Sequence, residues 1–223
     1  MARLETAVIE GNPFVGLFAC CNEQHALVPV NAPEKFVRKC ESALGAEVHK
    51  LQVAGSNLLG IFCVVNSNGI LLPRTVVSDE VEKLKSLGLN PCVLKGKLSA
   101  VGNNVLANDH GAIVNPDMSQ ADFEIVADCL GVEVVKREIA GFKTVGSAAL
   151  ATNKGVLVHN NADDEEVEEV CDILGVKSGA IGTANMGTPF VGLCLLANTK
   201  GYVAGMKTSG FELSRIDEAL GFI

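Results

Sequence analysis

The chain has no tryptophan, one tyrosine and only 4% aromatic residues among 223 positions. Long apolar runs are missing too: stretches such as Ile61 to Val65 and Leu193 to Ala197 are far too short to cross a bilayer. The opening Met1-Ala2-Arg3-Leu4-Glu5-Thr6 carries no apolar signal region, so a cytoplasmic location is expected. Eight cysteines, at 20, 21, 40, 63, 92, 129, 171 and 194, form no CxxC pair, which excludes a zinc or thioredoxin-like site of ordinary ligand spacing. They are expected to be reduced and to pack as small apolar side chains. Basic residues are in deficit: 18 Lys and Arg against 26 Asp and Glu leave a net charge of −8. That argues against a long electrostatic grip on nucleic acid, and an acidic protein is drawn sooner to a basic protein surface. Gly175-Val176-Lys177-Ser178 is only a fragment of a phosphate loop. The acidic run Asp163 to Glu169 reads as a solvated helix start rather than a metal site.

What is present is a repeat. The segments "FVGLFACCNEQHALV" (14–28), "LLGIFCVVNSNGILL" (58–72), "AVGNNVLANDHGAIV" (100–114), "TVGSAALATNKGVLV" (144–158) and "FVGLCLLANTKGYVA" (190–204) align on Gly16, Gly60, Gly102, Gly146 and Gly192. Nine residues after each anchor comes a hairpin-turn position: His25, Gly69, Gly111, Gly155 and Gly201. Only His25 departs from glycine. Each copy then carries a helical pattern that ends in Leu-Gly, at a distance from its anchor of 29, 28, 29, 29 and 29 residues. Ser119-x-x-Asp122, Asp163-x-x-Glu166 and Ser209-x-x-Glu212 mark helix starts. One apolar stripe per helix requires each to lie on a sheet. A third strand follows in four copies, and residues 1–11 have the shape of the strand that the fifth lacks. The expectation is an α/β ring of five ββαβ-type units in a single domain, 1–223. Its units are 11–54, 55–97, 98–140, 141–184 and 185–223, the last completed by 1–10. Such closure leaves no open sheet edge.

The third copy departs from the pattern near its anchor. Val101–Ala107 reads as a strand, yet Asn103 and Asn104 stand where other copies hold Leu, Ile, Phe, Ser, Ala or Cys, and Lys97 replaces the glycine five positions before the anchor. Buried asparagines persist when hydrogen-bonded, so a core role competes with a surface one. The connections Asn12-Pro13, Ser56-Asn57, Leu98-Ser99, Phe142-Lys143 and Thr188-Pro189 share one level of the ring, a natural place for a binding face.

"KLSAVGN" followed by "ND", together with "VAGSNLLG", "NSNGILLP" and "GTANMG", resembles the translation initiation factor 6 family of archaea and eukaryotes. The likeness runs through all five copies. It implies the pentein fold, a propeller of five units about a pseudo-fivefold axis. It also implies an anti-association factor that binds the large ribosomal subunit, chiefly a basic ribosomal protein near the sarcin–ricin loop. Release by GTPase-linked factors, no cofactor, no membrane and a monomer belong to the same expectation. The end of the chain at Gly221-Phe222-Ile223 implies an archaeal-type member without the eukaryotic C-terminal tail. The residues expected on the ribosome-binding face are Asn57, Leu58, Asn103, Asn104, Ser147 and Asn185.

The rival from the same fold is a guanidine-modifying hydrolase or amidinotransferase with a Cys nucleophile. Cys194 lies in "FVGLCLLAN", an apolar setting that raises a thiol pKa, and no segment resembles the catalytic motifs of those enzymes. The chain is therefore expected not to be an enzyme.

Overall fold

In the computed structural model, which describes residues 3–223, every sequence copy contributes a hairpin and a long helix, and the first four also a parallel third strand. Five three-stranded sheets result. In sheet one, Cys20–Cys21 pairs antiparallel with His25–Pro29, which pairs parallel with Glu47–Leu51. Sheets two, three and four repeat this order with Val64–Val65, Ile70–Leu72 and Pro91–Val93; Val105–Ala107, Gly111–Val114 and Glu133–Lys136; and Ala149–Ala151, Gly155–His159 and Ser178–Gly182. Sheet five joins the two ends of the chain. Leu195–Asn198 pairs with Gly201–Gly205, whose parallel neighbour is Arg3–Ala7, with Arg3 opposite Gly201 and Ala7 opposite Gly205. The N-terminal strand thus completes the last copy, although Met1 and Ala2 lie outside the described residues. No pairing among the described residues fuses the five sheets into one continuous sheet.

The anchor glycines correct one expectation. The segments that contain them begin as a helical turn before becoming strands: Val15–Phe18, Leu59–Phe62, Val101–Asn104, Val145–Ala148 and a 3₁₀ turn at Val191–Leu193. Asn103 and Asn104 therefore stand on a turn, and the strand starts only at Val105. The reason is packing at the axis. A Cβ on Gly60 would come within 3.0 Å of Gly16 O, one on Gly102 of Gly60 O, one on Gly146 of Gly102 O, one on Gly192 of Gly146 O, and one on Gly16 of Gly192 O. Each turn rests on the backbone of the one before it, and the circuit closes after five steps. A narrow cavity of about 100 Å³ runs between them, lined by all five glycines.

The long helices are Glu34–Leu44, Ser78–Ser86, Gln120–Leu130, Asp164–Ile173 and Gly210–Ala219. Gly45 and Gly131 end theirs in the left-handed conformation, as the Leu-Gly signal requires. Each helix leans on its neighbour's sheet as well as its own. Glu34–Leu44 packs on Arg3–Ala7 and Gly201–Gly205 of sheet five. Its Phe36, Cys40 and Leu44 share a buried cluster with Ala7, Ile9, Val28 and Val203. Gly210–Ala219 likewise packs on sheet four through Ile216 and Leu220, against Leu157 and Ala180. These straddling helices fill the wedges between sheets, so burial of apolar surface holds neighbouring copies together.

Cys92 and Cys129 form a disulfide, which corrects the expectation of eight reduced thiols. The bond ties the third strand of sheet two to the helix of the next copy, where Cys129 faces sheet two from the last turn of Gln120–Leu130. Spacing in sequence gave no sign of it, because the two residues are 37 apart and meet only across a junction between copies.

Candidate functional site

Because the second and third strands of each sheet are parallel, both start at the hairpin end of the molecule and finish at the other. At the finishing end the third strands lead into the five connections, which gather there. Four connections are tight reversals bridged at Ile9–Asn12, Val53–Ser56, Ile139–Phe142 and Ala184–Thr188. They place non-glycine residues in the left-handed region: Glu10 at φ 52°, Ala54 at 54°, Ala140 at 54°, Asn185 at 52° and Met186 at 60°. Such residues cost about 1–2 kcal/mol each unless the surroundings hold them.

At the second, fourth and fifth connections an acid in the first turn of the following helix supplies the hold; at the first, Phe36 stands in that place. Glu80 accepts from Ala54 N at 2.8 Å and Gly55 N at 2.9 Å, and Glu166 accepts from Ala140 N at 2.8 Å. Glu212 accepts from Gly187 N at 2.8 Å, Thr183 Oγ1 at 2.9 Å and Ser209 N at 2.7 Å. Burial pushes the Glu212 carboxyl up, yet these hydrogen bonds together outweigh it and hold the group below its ordinary pKa. In the third copy the shorter Asp122 takes over, accepting from Lys95 N at 2.7 Å and Gly96 N at 2.9 Å. Its carboxylate occupies the space that a Cβ on Gly96 would need. This connection makes no left-handed reversal, so Lys97 can stand where the other copies need glycine.

The six expected site residues fall at or just beneath this end, in two groups. Asn57 and Leu58 are half-buried and within reach of a partner; Asn57 Oδ1 accepts from Gln52 Nε2 at 3.0 Å. Asn103 is also half-buried, and its Oδ1 is shielded without any hydrogen-bond partner among the described residues. The other three are buried. Asn104 donates to Ala100 O at 2.7 Å and accepts from Asn115 Nδ2 at 2.6 Å, which uses its amide inside the chain. Asn185 donates to Pro13 O at 3.0 Å and links the fifth connection to the first. Ser147 lies inside its turn. Around them the surface is partly apolar: Met186 is 78% exposed, and Phe14, Phe142 and Phe190 are half-buried. Buried His159 sits between Phe142 and Phe190, with ring centroids at 4.8 and 5.1 Å.

A second set of asparagines, six residues after the anchors, is absent from the expected residues. Asn198 Nδ2 donates to Asn22 O at 3.2 Å, Asn22 to Asn66 O at 2.8 Å, Asn66 to Asn108 O at 3.2 Å and Asn108 to Thr152 O at 3.0 Å. The relay stops at Thr152, whose hydroxyl donates to Gly155 O in its own turn. Lys154 bridges that junction instead, donating to Thr199 O at 2.8 Å. The aligned copies carry the signal, four Asn and one Thr in register, but a recurring Asn before a turn also reads as ordinary turn chemistry.

Cys194 is buried and its Sγ–H donates to Phe190 O at 3.6 Å. Burial pushes its pKa up to about 12, even with Asn185 opposing, so the thiol is not prepared as a nucleophile.

Comparison with known proteins accords with this arrangement. The model of the eIF-6 family matches residues 4–219. Translation initiation factor 6 of Methanocorpusculum labreanum is 40% identical over 221 residues, covering 98% of this chain and 99% of that protein. The proteins of the same name from Archaeoglobus fulgidus and Methanopyrus kandleri are 45% identical over 212 residues and 51% identical over 187. They cover 95% and 84% of this chain, and 97% and 84% of their own lengths. The chain belongs to the eIF-6 family.

Proposed function

We propose that this protein is a translation initiation factor that binds the large ribosomal subunit and keeps the small subunit from joining it too early. The observation that carries the reading is the family match over nearly the whole chain, residues 4–219. The same reading takes the five sheets as a pentein propeller in one domain, with the unit boundaries given above. It places the protein in the cytoplasm as a monomer and assigns its release to GTPase-linked factors. No chemistry is needed for this task. Steric exclusion requires a rigid body and an interface on the order of 1,200–2,000 Å². The closed circuit of turns and the helices between sheets supply rigidity. The connections supply a fixed surface with hydrogen-bonding amides and half-buried apolar groups, a mixture typical of interfaces. The net charge of −8 suits a basic ribosomal protein near the sarcin–ricin loop.

Within the face, Asn57, Leu58 and Asn103 are the residues offered to the partner, while Asn104, Ser147 and Asn185 shape the backbone beneath them. Asn103 is the sharpest probe because its shielded Oδ1 has no hydrogen-bond partner among the described residues. Co-sedimentation with purified large subunits tests the reading, followed by a joining assay with small subunits on sucrose gradients. Wild-type protein should pellet with large subunits and reduce joined ribosomes. Asn103→Asp should keep its melting temperature and bind about 5- to 150-fold more weakly, the range for a buried interfacial mismatch of about 1–3 kcal/mol. Failure of the wild-type protein to bind large subunits would sink the proposal.

A further inference from the structure

One junction of the ring is built differently from the rest. At the turn glycines of the other four copies, a Cβ would come within 3.0 Å of a backbone carbonyl in a neighbouring helix: Cys129 O for Gly69, Ile173 O for Gly111, Ala219 O for Gly155 and Ala43 O for Gly201. These carbonyls all lie two residues before the glycine that ends the helix. In the second copy the helix-ending glycine, Gly88, comes one residue early, and the helix Ser78–Ser86 has 9 residues against 10 or 11 elsewhere. The position that would face this shortened helix end is His25. A shortened helix and a side chain in place of glycine therefore coincide at one junction.

The imidazole has company there. In the parallel pair His25–Pro29 and Glu47–Leu51, His25 is opposite Glu47 and Leu27 opposite His49, so Glu47 and His49 point to one face. His25 Nδ1 lies 2.9 Å from His49 Nε2, with ring centroids 5.1 Å apart. Each of His25, Glu47 and His49 offers a ligand atom, and the three atoms lie within 4.8 Å of one another. In register, the other copies hold Asn90, Glu133, Ser178 and Arg3 in place of Glu47, and Cys92, Val135, Ala180 and Glu5 in place of His49. The first copy alone assembles two imidazoles and a carboxylate.

We propose that His25, His49 and Glu47 form a binding site for one divalent late transition-metal ion, Ni²⁺ or Cu²⁺ before Zn²⁺. Imidazole suits these ions, and a carboxylate supplies compensating charge. Geometry sets the preference. An ion about 2.1 Å from both nitrogens at their 2.9 Å separation sees them at roughly a right angle, as in square-planar or octahedral coordination. A tetrahedral ion requires the nitrogens about 3.4 Å apart. Rotation of the rings about their Cβ–Cγ bonds turns the present hydrogen bond into two lone pairs aimed at one point. Glu47 is 74% exposed on its side chain, so water can fill the remaining positions. The site lies at the hairpin end, opposite the connections, and so does not depend on the ribosomal reading.

The full chain without an affinity tag is titrated with Ni²⁺, followed by calorimetry and by ligand-field absorption. One ion per chain is expected. His25→Gly installs the residue that the other four copies use, so it should fold; with His49→Gln it should weaken binding by at least about tenfold, the lower bound of what loss of a ligand's partner costs. Thermal melts without metal establish that each variant is folded, and His25→Gly alone decides if His49→Gln is not. Absence of saturable binding to the wild-type chain would overturn the proposal. So would unchanged affinity in His25→Gly, or a spectrum dominated by sulfur-to-nickel charge transfer, which would assign the ion to cysteine.

Discussion

Asn66 is nearly free of solvent, and its whole amide is used. Oδ1 accepts from Asn68 N at 3.0 Å and Gly69 N at 3.1 Å, while Nδ2 donates to Asn108 O at 3.2 Å and Leu130 O at 2.8 Å. One side chain thus shapes its own hairpin and grips the next copy. Asn66→Ala leaves buried Gly69 N and Asn108 O without that partner, while Leu130 O keeps its bond from Asn68 Nδ2, and about 3 kcal/mol of stability should be lost in denaturant titration. Asn103→Ala, which removes no side-chain hydrogen bond among the described residues, should stay within about 0.5 kcal/mol of wild type in the same titration. Cysteine gives a second test at this scale. Burial pushes the Cys40 thiol up to about 12 and also raises Cys21 and Cys63, so these groups should react slowly with a thiol reagent in the native protein. In denaturant without reductant, six thiols should titrate, because Cys92 and Cys129 are joined.

The element that most depends on a single group is the fifth connection, where Asn185, Met186 and Gly187 all take positive φ. Glu212 holds it from the first turn of Gly210–Ala219, and its folded pKa is depressed. A carboxyl with a depressed folded pKa binds fewer protons than in the unfolded chain. Its contribution is therefore complete above the ordinary glutamate value of about 4.3 and is lost as pH falls through the lower folded value. Asp109 acts in the same direction. Burial raises it, but hydrogen bonds from Ser67 N and Oγ, both at 2.7 Å, and from Asn153 outweigh burial. Stability should consequently fall steeply below about pH 4.5. Glu212→Gln should lower stability at neutral pH and flatten the acid limb, as read from melting temperatures at stepped pH. An acid limb unchanged by the substitution would remove Glu212 from this account.

For the whole molecule, closure is the decisive feature. Arg3–Ala7 covers the edge of Gly201–Gly205, and Ala7 and Ile9 pack under the helix Glu34–Leu44. Removal of residues 1–10 uncovers that edge and part of the apolar face of the helix, which favours edge-to-edge association. The truncated chain should melt at a lower temperature and run as aggregate on gel filtration, whereas the intact chain should not. Normal melting and elution of the truncated chain would show that the contact between the ends is dispensable.

The repeat, the five hairpins and helices, the helix-ending glycines and the N-terminal strand that completes the fifth copy were all legible in the sequence. Most of these depend on local chemistry: periodic apolar residues, left-handed glycines at the helix ends, and side-chain caps. The hairpin-turn glycines take no positive φ and are required instead by the helix of the next copy, and the N-terminal strand was legible because it fills the one gap in the repeat. The expected site residues were legible only by position, since one connection looks much like another until burial separates Asn57 and Asn103 from Asn104, Ser147 and Asn185. The helical turn at each anchor glycine, the relay through Asn22, Asn66, Asn108 and Asn198, the disulfide and the pairing of His25 with His49 were decided by tertiary structure. All four depend on contacts between chain segments far apart in sequence or on different strands. Sequence alone determined what each copy would form; the ring determined which atoms of one copy meet those of the next.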